Sequence, residues 1–199
     1  MGKLEKKVAV ITGAASGIGR ATAIRFAGED AAVVIADLNR GGGEAAVRDC
    51  KENGGSAVFQ LTDVASEEDI KSAVYRAVKE FGHLDIIYNN AGLGGAVGPL
   101  EKTSAENWDR SFSILLRAVF LGIKHAVPEM RKTGSGSIIS TASIEQAATQ
   151  LFAAFQIADG LLVSGRKLGC RPLAPSRPRP TRQNLHVKLG ASSSRSSSS

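Results

Sequence analysis

A glycine-rich turn between a predicted strand and a predicted helix is the first segment that could do chemistry. It reads Thr12-Gly13-Ala14-Ala15-Ser16-Gly17-Ile18-Gly19. Glycines allow a tight turn and let the backbone approach a pyrophosphate, whose negative charge is favoured at the N-terminus of a helix. The literal G-x-G-x-x-G pattern is not met, since Thr22 stands where its last glycine would be. The turn therefore predicts a phosphate site, and a purely structural turn is the alternative.

Two carboxylates follow other predicted strands. Asp37 ends the second strand, 18 residues after Gly19, close to the spacing at which an acid meets the adenosine ribose of a dinucleotide. A carboxylate there can accept hydrogen bonds from both ribose hydroxyls and would repel a 2′-phosphate, which favours NAD over NADP. Asp63-Val64 follows the third strand and could meet the adenine ring. For both aspartates the alternative is a turn or cap residue with a structural role only.

Alternating strands and helices must position these residues. Short apolar runs predict five strands, the first two of them buried, and the segments between them predict helices, with Ser66 and Ser104 as N-caps. This order predicts an α/β fold, a Rossmann-type doubly wound parallel sheet with strand order 3-2-1-4-5, incomplete at five strands. Ligands of such sheets bind outside the carboxyl ends of the strands, where the glycines and aspartates meet. The predicted strands are 7–12, 32–36, 57–61, 84–88 and 137–140, and the predicted helices are 17–27, 43–52, 66–81 and 104–131.

Two further motifs complete a family resemblance. Asn89-Asn90-Ala91-Gly92 follows the fourth strand, and Ser143 follows the fifth. With the glycine-rich turn and the two aspartates, they resemble short-chain dehydrogenases/reductases over roughly residues 5–145. The resemblance implies a nicotinamide cofactor, NAD here, and hydride exchange with a small-molecule alcohol or carbonyl substrate. The cofactor-binding residues it implies are Gly13, Ser16, Gly17, Ile18, Gly19, Asp37, Asp63, Val64, Asn90, Ala91 and Gly92.

The catalytic set that the resemblance implies is incomplete. In the family a serine polarises the substrate oxygen, a tyrosine acts as general acid/base, and a lysine four residues later lowers the tyrosine pKa. Ser143 matches the serine, whereas Gln156 and Gly160 stand where the tyrosine and the lysine are expected. The tyrosines of the chain, Tyr75 and Tyr88, both precede Ser143. Because a phenol titrates near pH ~10 without a neighbouring positive charge, we expect NAD binding with impaired or no turnover.

Residues 160–199 differ from the rest of the chain in composition. They contain eight Lys or Arg and no Asp or Glu, whereas residues 1–159 contain 17 basic and 19 acidic residues. We therefore expect a dinucleotide-binding domain over 1–145, a possible helix over 146–159 and a disordered basic tail over 160–199. A change of reading frame or exon between Ser143 and Gly160 would explain this tail. Nucleic-acid binding is a less favoured explanation, because no aromatic residue follows Phe155.

Two consequences follow if the family pattern stops near residue 145. The fifth strand would be an uncovered sheet edge unless the tail shields it, and the oligomer interface usual in the family would be compromised. Three hypotheses of function stay open. The chain is an NAD-dependent short-chain oxidoreductase, a catalytically dead NAD-binding protein that modulates a partner, or a nonfunctional truncated or frameshifted product.

Composition and cysteine content exclude other classes of protein. No run of 18 uncharged apolar residues occurs, so we expect no membrane span. Cys50 and Cys170 are isolated and cannot form a disulfide framework or a metal cluster. His83 and His125 fit a loop and a helix surface better than a metal site. The N-terminus has no apolar signal region, which predicts a cytoplasmic protein.

Overall fold

The structure of the protein, a computed structural model, describes residues 2–94, 99–142 and 184–188. A 3₁₀ turn, Leu100–Lys102, precedes α4, and a π-helical turn, Ser113–Arg117, joins α4 to α5. The strands are β1 (Val8–Thr12), β2 (Ala32–Asp37), β3 (Ser56–Leu61), β4 (Ile86–Asn89), β5 (Ser137–Thr141) and β6 (Asn184–Lys188). The helices are α1 (Gly17–Ala27), α2 (Arg40–Glu52), α3 (Glu67–Phe81), α4 (Ala105–Phe112) and α5 (Ala118–Thr133).

One sheet of order β3-β2-β1-β4-β5-β6 organises the described residues. The first five strands pair in parallel, with Val10 opposite Val34 on one side and Ile87 on the other. This confirms the predicted five-stranded parallel sheet and its order. Ala9 and Ile11 face α1 and α2, while Val8 and Val10 face α3 and α5. Both faces of β1 are therefore buried, as its unbroken apolar run predicts.

A sixth strand lies where the sequence analysis expects disorder. The backbone of β6 pairs antiparallel with β5, with Asn184 opposite Thr141 and Lys188 opposite Ser137. For these five residues the expectation of a disordered tail is wrong, and their backbone covers the edge of β5, as the sequence analysis allows for a tail that shields this strand. Leu185 and Val187 alternate with polar residues, a period typical of a strand, and the edge of β5 offers unpaired backbone groups. The rest of the tail, the expected helix over 146–159 and Ser143 lie outside the described residues.

Polar caps fix where the helices begin. The Ser66 and Ser104 hydroxyls accept from the backbone N–H groups of Asp69 and Asn107, which confirms both predicted caps. Helix α2 begins three residues before the predicted Gly43, because the side chain of Asn39 accepts from the Gly42 N–H. The predicted helix over 104–131 is interrupted by the π-helical turn.

One described helical segment, Ala105–Thr133, is long and apolar enough to cross a membrane by length and composition. A core helix of a globular domain passes the same test. Leu121, Ala126 and Met130 of this segment are buried, and the last two pack in the core cluster that covers β1. Packing on the sheet therefore accounts for part of its apolar composition.

Candidate functional site

A cavity of about 980 Å³ opens at the carboxyl ends of the parallel strands. It lies along the ends of β1 to β5, and the segment from α4 to the start of α5 forms its outer wall. The structure thus brings together residues that are far apart in the sequence, at the position where doubly wound sheets bind ligands. The predicted cofactor-binding residues that line it are Gly13, Ser16, Gly17, Ile18, Asp37, Asp63, Val64, Asn90, Ala91 and Gly92.

The glycines of the turn have distinct roles. Gly13 has φ +66°, and a Cβ atom there would lie 2.8 Å from the Cα of Ala91. Gly17 has φ +53°, and the position of its Cβ atom has no neighbour within 4 Å. Gly13 therefore lets the turn pack against the chain after β4, whereas Gly17 leaves its backbone open to the cavity. A pyrophosphate needs this close approach to main-chain N–H groups.

Gly19 does not line the cavity and lies buried beneath the turn. A Cβ atom at Gly19 would lie 2.6 Å from Asn90 Nδ2 and would overlap the carbonyl oxygen of Gly13. Its φ is not positive, so the requirement is for space alone. This glycine allows α1 to begin directly under the turn.

The N-terminus of α1 differs from those of α2, α3 and α4. Its N-cap residue, Ser16, has an extended backbone and makes no side-chain capping hydrogen bond, whereas those three helices have side-chain caps. The first N–H groups of a helix lack partners within the helix. Those of α1 are thus available to an anion, and the helix dipole favours negative charge there.

Thr12 and Asn90 hold the turn against the end of β4. The Thr12 hydroxyl accepts from the backbone N–H groups of Asn90, at 3.0 Å, and Ala91, at 3.1 Å. The side-chain amide of Asn90 donates to the carbonyl oxygens of Thr12, at 3.1 Å, and Gly13, at 3.3 Å. Asn90 thus lines the cavity while its donors point into the turn. Sequence reasoning missed the organising role of Thr12, although its place before the first glycine was a signal.

Asp37 lies beside the glycine-rich turn, and its carboxylate has hydrogen-bond acceptor positions that are not used within the described part of the chain. One carboxylate oxygen accepts from the Ala15 N–H at 2.9 Å, and the other accepts from the Asn39 N–H at 2.9 Å. A carboxylate has about four acceptor positions. The two bonds fix its orientation and leave positions for ligand hydroxyls.

Asp63 combines its place in the cavity wall with a structural role. Its carboxylate accepts from the Ala65 N–H at 2.9 Å, and its own N–H donates to Asp69 Oδ2 at 2.9 Å. These bonds stabilise the loop that leads into α3. Asp63 therefore has the structural role that was the alternative, and its contact with adenine stays a prediction.

Contacts between α3 and the long helical segment fix the outer wall of the cavity. Glu67 Oε1 lies 2.6 Å from Lys124 Nζ and 3.0 Å from His125 Nε2. Hydrogen bonds from Lys124 and His125 lower the pKa of Glu67 below its ordinary value. Arg117 adds a bond of 2.7 Å to the Ala65 carbonyl oxygen. The wall is therefore tied to the loop that carries Asp63.

Neither tyrosine of the chain lines the cavity. Tyr88 is buried, and its hydroxyl accepts from Thr141 Oγ1 at 2.7 Å. Tyr75 is 65% exposed on α3. Within the described ranges, no group of three or more His, Cys, Asp or Glu residues could hold a metal ion.

Comparison with known proteins shows which family builds such a site. Residues 7–155 match the family described as short chain dehydrogenase. The chain belongs to the short-chain dehydrogenase family. This confirms the resemblance on which the predicted cofactor-binding residues depend, and it places the glycine-rich turn, Asp37 and Asn90 in a family of oxidoreductases.

Sequence and structural similarity to individual dehydrogenases supports this family membership. The chain is 41% identical over 142 residues to cyclohexanol dehydrogenase of an Acinetobacter strain, covering 71% of this chain and 57% of the relative. It is 46% identical over 147 residues to a mitochondrial borneol dehydrogenase of Lavandula x intermedia, covering 73% and 55%. A crystal structure of NAD⁺-bound xylitol dehydrogenase matches with a TM-score of 0.70 at 32% identity, covering 81% of this chain and 66% of that one. The chain spans about half the length of the curated relatives it matches.

Proposed function

We propose that the cavity at the carboxyl ends of the strands binds NAD(H). The observation that carries this proposal is the open backbone at Gly17 and the uncapped N-terminus of α1, with Asp37 at the end of the neighbouring strand. The turn would hold the pyrophosphate, and Asp63 and Val64 would lie beside the adenine ring. When bound, the nicotinamide ring supplies hydride exchange with the carbon of an alcohol or carbonyl group. The NAD⁺-bound xylitol dehydrogenase of similar fold supports this assignment.

Asp37 favours NAD over NADP. Its remaining acceptor positions suit the two ribose hydroxyls, and its negative charge would lie against a 2′-phosphate. Like charges in direct contact at a binding site cost several kcal/mol. We therefore expect NADP to bind at least about tenfold more weakly than NAD, since ~1.4 kcal/mol corresponds to tenfold.

Calorimetric titration of the wild-type chain and the Asp37→Asn variant tests this selectivity. The variant keeps the size of the side chain and removes the charge, so its preference for NAD should fall. Asp109→Asn makes the same charge change on α4, away from the cavity lining, and should leave the preference unchanged. Equal affinities of the wild-type chain for NAD and NADP would refute this role of Asp37.

We further propose that oxidation of a secondary alcohol by this chain is slow or absent. The proton of the substrate hydroxyl has to be accepted by a base, and the family uses a tyrosine next to a lysine. Neither Tyr75 nor Tyr88 is part of the cavity lining, and Gln156 and Gly160 occupy the aligned positions. Ser143 alone provides no base that is ionised near neutral pH.

Cyclohexanol and borneol, which the names of two relatives suggest, are suitable probes of turnover. NADH formation by this chain should stay close to that of a sample without protein, while the Acinetobacter cyclohexanol dehydrogenase serves as the positive control. Sustained NADH formation by the purified chain, at a rate near that of the control, would contradict the proposal. NAD binding without turnover would support it.

The second candidate function is that of an NAD-binding protein that acts by pairing with another short-chain dehydrogenase. Leu116, Phe120 and Ile123 are 62%, 60% and 36% exposed. Phe120 and Ile123 are three residues apart on one face of α5, and Leu116 lies in the π-helical turn that precedes it. The family resemblance implies an oligomer interface on this surface. A double substitution, Phe120→Gln with Ile123→Gln, leaves the cavity lining intact and should reduce self-association or mixed association in size-exclusion chromatography, whereas Tyr75→Gln on α3 should not.

A further inference from the structure

Arg110 is the only positively charged side chain among the described residues that line the cavity. The charged residues that share this lining are Asp37 and Asp63. The cavity wall in the described ranges therefore has two carboxylates and one guanidinium. A dinucleotide adds negatively charged phosphates to this surface, so a counter-charge is needed close to the ligand.

The guanidinium of Arg110 is available for such a contact. Arg117 on the following turn donates to the Ala65 carbonyl oxygen, and Arg20 pairs with Asp49 at 2.6 Å. For Arg110, by contrast, the described part of the chain provides neither an ion pair nor a side-chain hydrogen bond. Its side chain is exposed, which leaves all of its donors free.

The position of Arg110 places this charge at the mouth of the cavity. It precedes Ile114 by four residues, and Ile114 and Ala91 are partly buried against the cluster that contains Val64. Arg110 and Ile114 both line the cavity. Arg110 is thus next to the segments that follow β3 and β4, and its long side chain can extend over the opening.

We propose that Arg110 binds a phosphate group of the nucleotide in this cavity. This inference rests on the proposed NAD-binding function and adds a nucleotide-binding residue from outside the glycine-rich turn. The planar guanidinium presents paired N–H donors that match two oxygens of a phosphate, and such charge-assisted bonds are stronger than neutral ones. The N-terminus of α1 and Arg110 would hold the phosphates from opposite sides of the cavity.

Calorimetric titrations of the wild-type chain, Arg110→Gln and Arg131→Gln with NAD, ADP and adenosine test the proposal. Arg131 is an exposed residue of α5 outside the cavity lining, so its substitution controls for the loss of one charge from the same segment. Arg110→Gln should weaken the binding of NAD and ADP by about tenfold or more, the effect of losing a hydrogen bond to a charged group. Adenosine, which has no phosphate, should bind equally to all three proteins.

The salt dependence of NAD binding gives a second readout that a structural role of Arg110 would not change. Wild-type affinity should fall as salt rises, and Arg110→Gln should show a smaller fall, because salt screens an exposed ion pair. If the wild-type chain binds NAD or ADP and Arg110→Gln binds both equally well, only the assignment of Arg110 fails. An equal loss of adenosine affinity would also overturn it, since the contact would then be to the nucleoside. If the wild-type chain binds neither NAD nor ADP, both the assignment of Arg110 and the proposed NAD-binding function fail.

Discussion

Gly19 and Asn90 show how single residues build the floor of the site. The side-chain amide of Asn90 fills the space that a larger residue at position 19 would need, and it bonds the carbonyl oxygens of Thr12 and Gly13. The sequence predicts both residues as cofactor-binding. The structure shows how they shape the turn, a role that depends on contacts across more than 70 residues of sequence and that spacing alone does not reveal.

Substitution of Gly19 by alanine should destabilise the protein and weaken NAD binding. The added methyl group would overlap the Gly13 carbonyl oxygen and press on Asn90, and overpacking of this kind costs about 1–3 kcal/mol. Urea unfolding measures the free energy of unfolding. Gly28→Ala is the matched control, because its Cβ atom would meet only ordinary contacts at 3.5 Å or more. Equal stabilities of the two variants would show that the turn tolerates movement at Gly19.

At the scale of elements, the hydrophobic pattern and the N-cap residues predict most of the strands and helices. The five parallel strands are predicted from short apolar runs in the sequence, and the N-caps of α3 and α4 are serines that the sequence also predicts. The π-helical turn and β6 are not predicted. The first leaves the apolar pattern of the long helix unbroken. The alternation in β6 is a short signal within a basic tail, and its pairing depends on the edge that β5 offers. The availability of Arg110 to a ligand depends on tertiary placement in the same way.

Glu67 joins α3 to α5, and its contribution to stability should depend on pH. Because its pKa is lowered in the folded state, the stabilisation is present above the ordinary pKa of 4.5 and is lost as pH falls through the folded-state pKa. The Glu67→Gln variant should therefore be less stable than the wild type at neutral pH. The difference should shrink as the pH falls below 4.5.

Thermal unfolding of the two proteins across this pH range measures the effect. Glu68→Gln is the control, since Glu68 lies in the same first turn of α3 but pairs only with Lys71 on its own helix. It removes the same charge from the helix terminus without touching α5. If the difference in thermal stability between the wild type and Glu67→Gln stays constant with pH, the ion-pair explanation is contradicted.

At the scale of the whole molecule, the core packs α1 and α2 tightly on one face of the sheet. Cys50 of α2 is fully buried in this layer, and burial raises the pKa of its thiol to about 11. Since the thiolate is the reactive form, Cys50 should react only after unfolding.

Labelling of a Cys170→Ser variant with a thiol reagent tests this prediction. Reaction should be slow under native conditions and should increase along the urea unfolding transition. A Cys50→Ser, Cys170→Ser double variant should show no labelling. Rapid labelling at pH ~8 without denaturant, as for a free thiol of pKa ~8.5, would show that this layer opens readily.

The central claim is that a dinucleotide occupies the cavity between the glycine-rich turn and Asp37. Amide hydrogen exchange of the wild-type chain with and without NAD tests it most directly, because the backbone N–H groups of the first turn of α1 are the proposed ligands of the phosphates. NAD should slow exchange in the peptides that contain Gly17–Gly19 and Asp37, and should leave those around Arg131 unchanged. Unchanged exchange at the turn with saturating NAD, or protection confined to another part of the chain, would contradict the account.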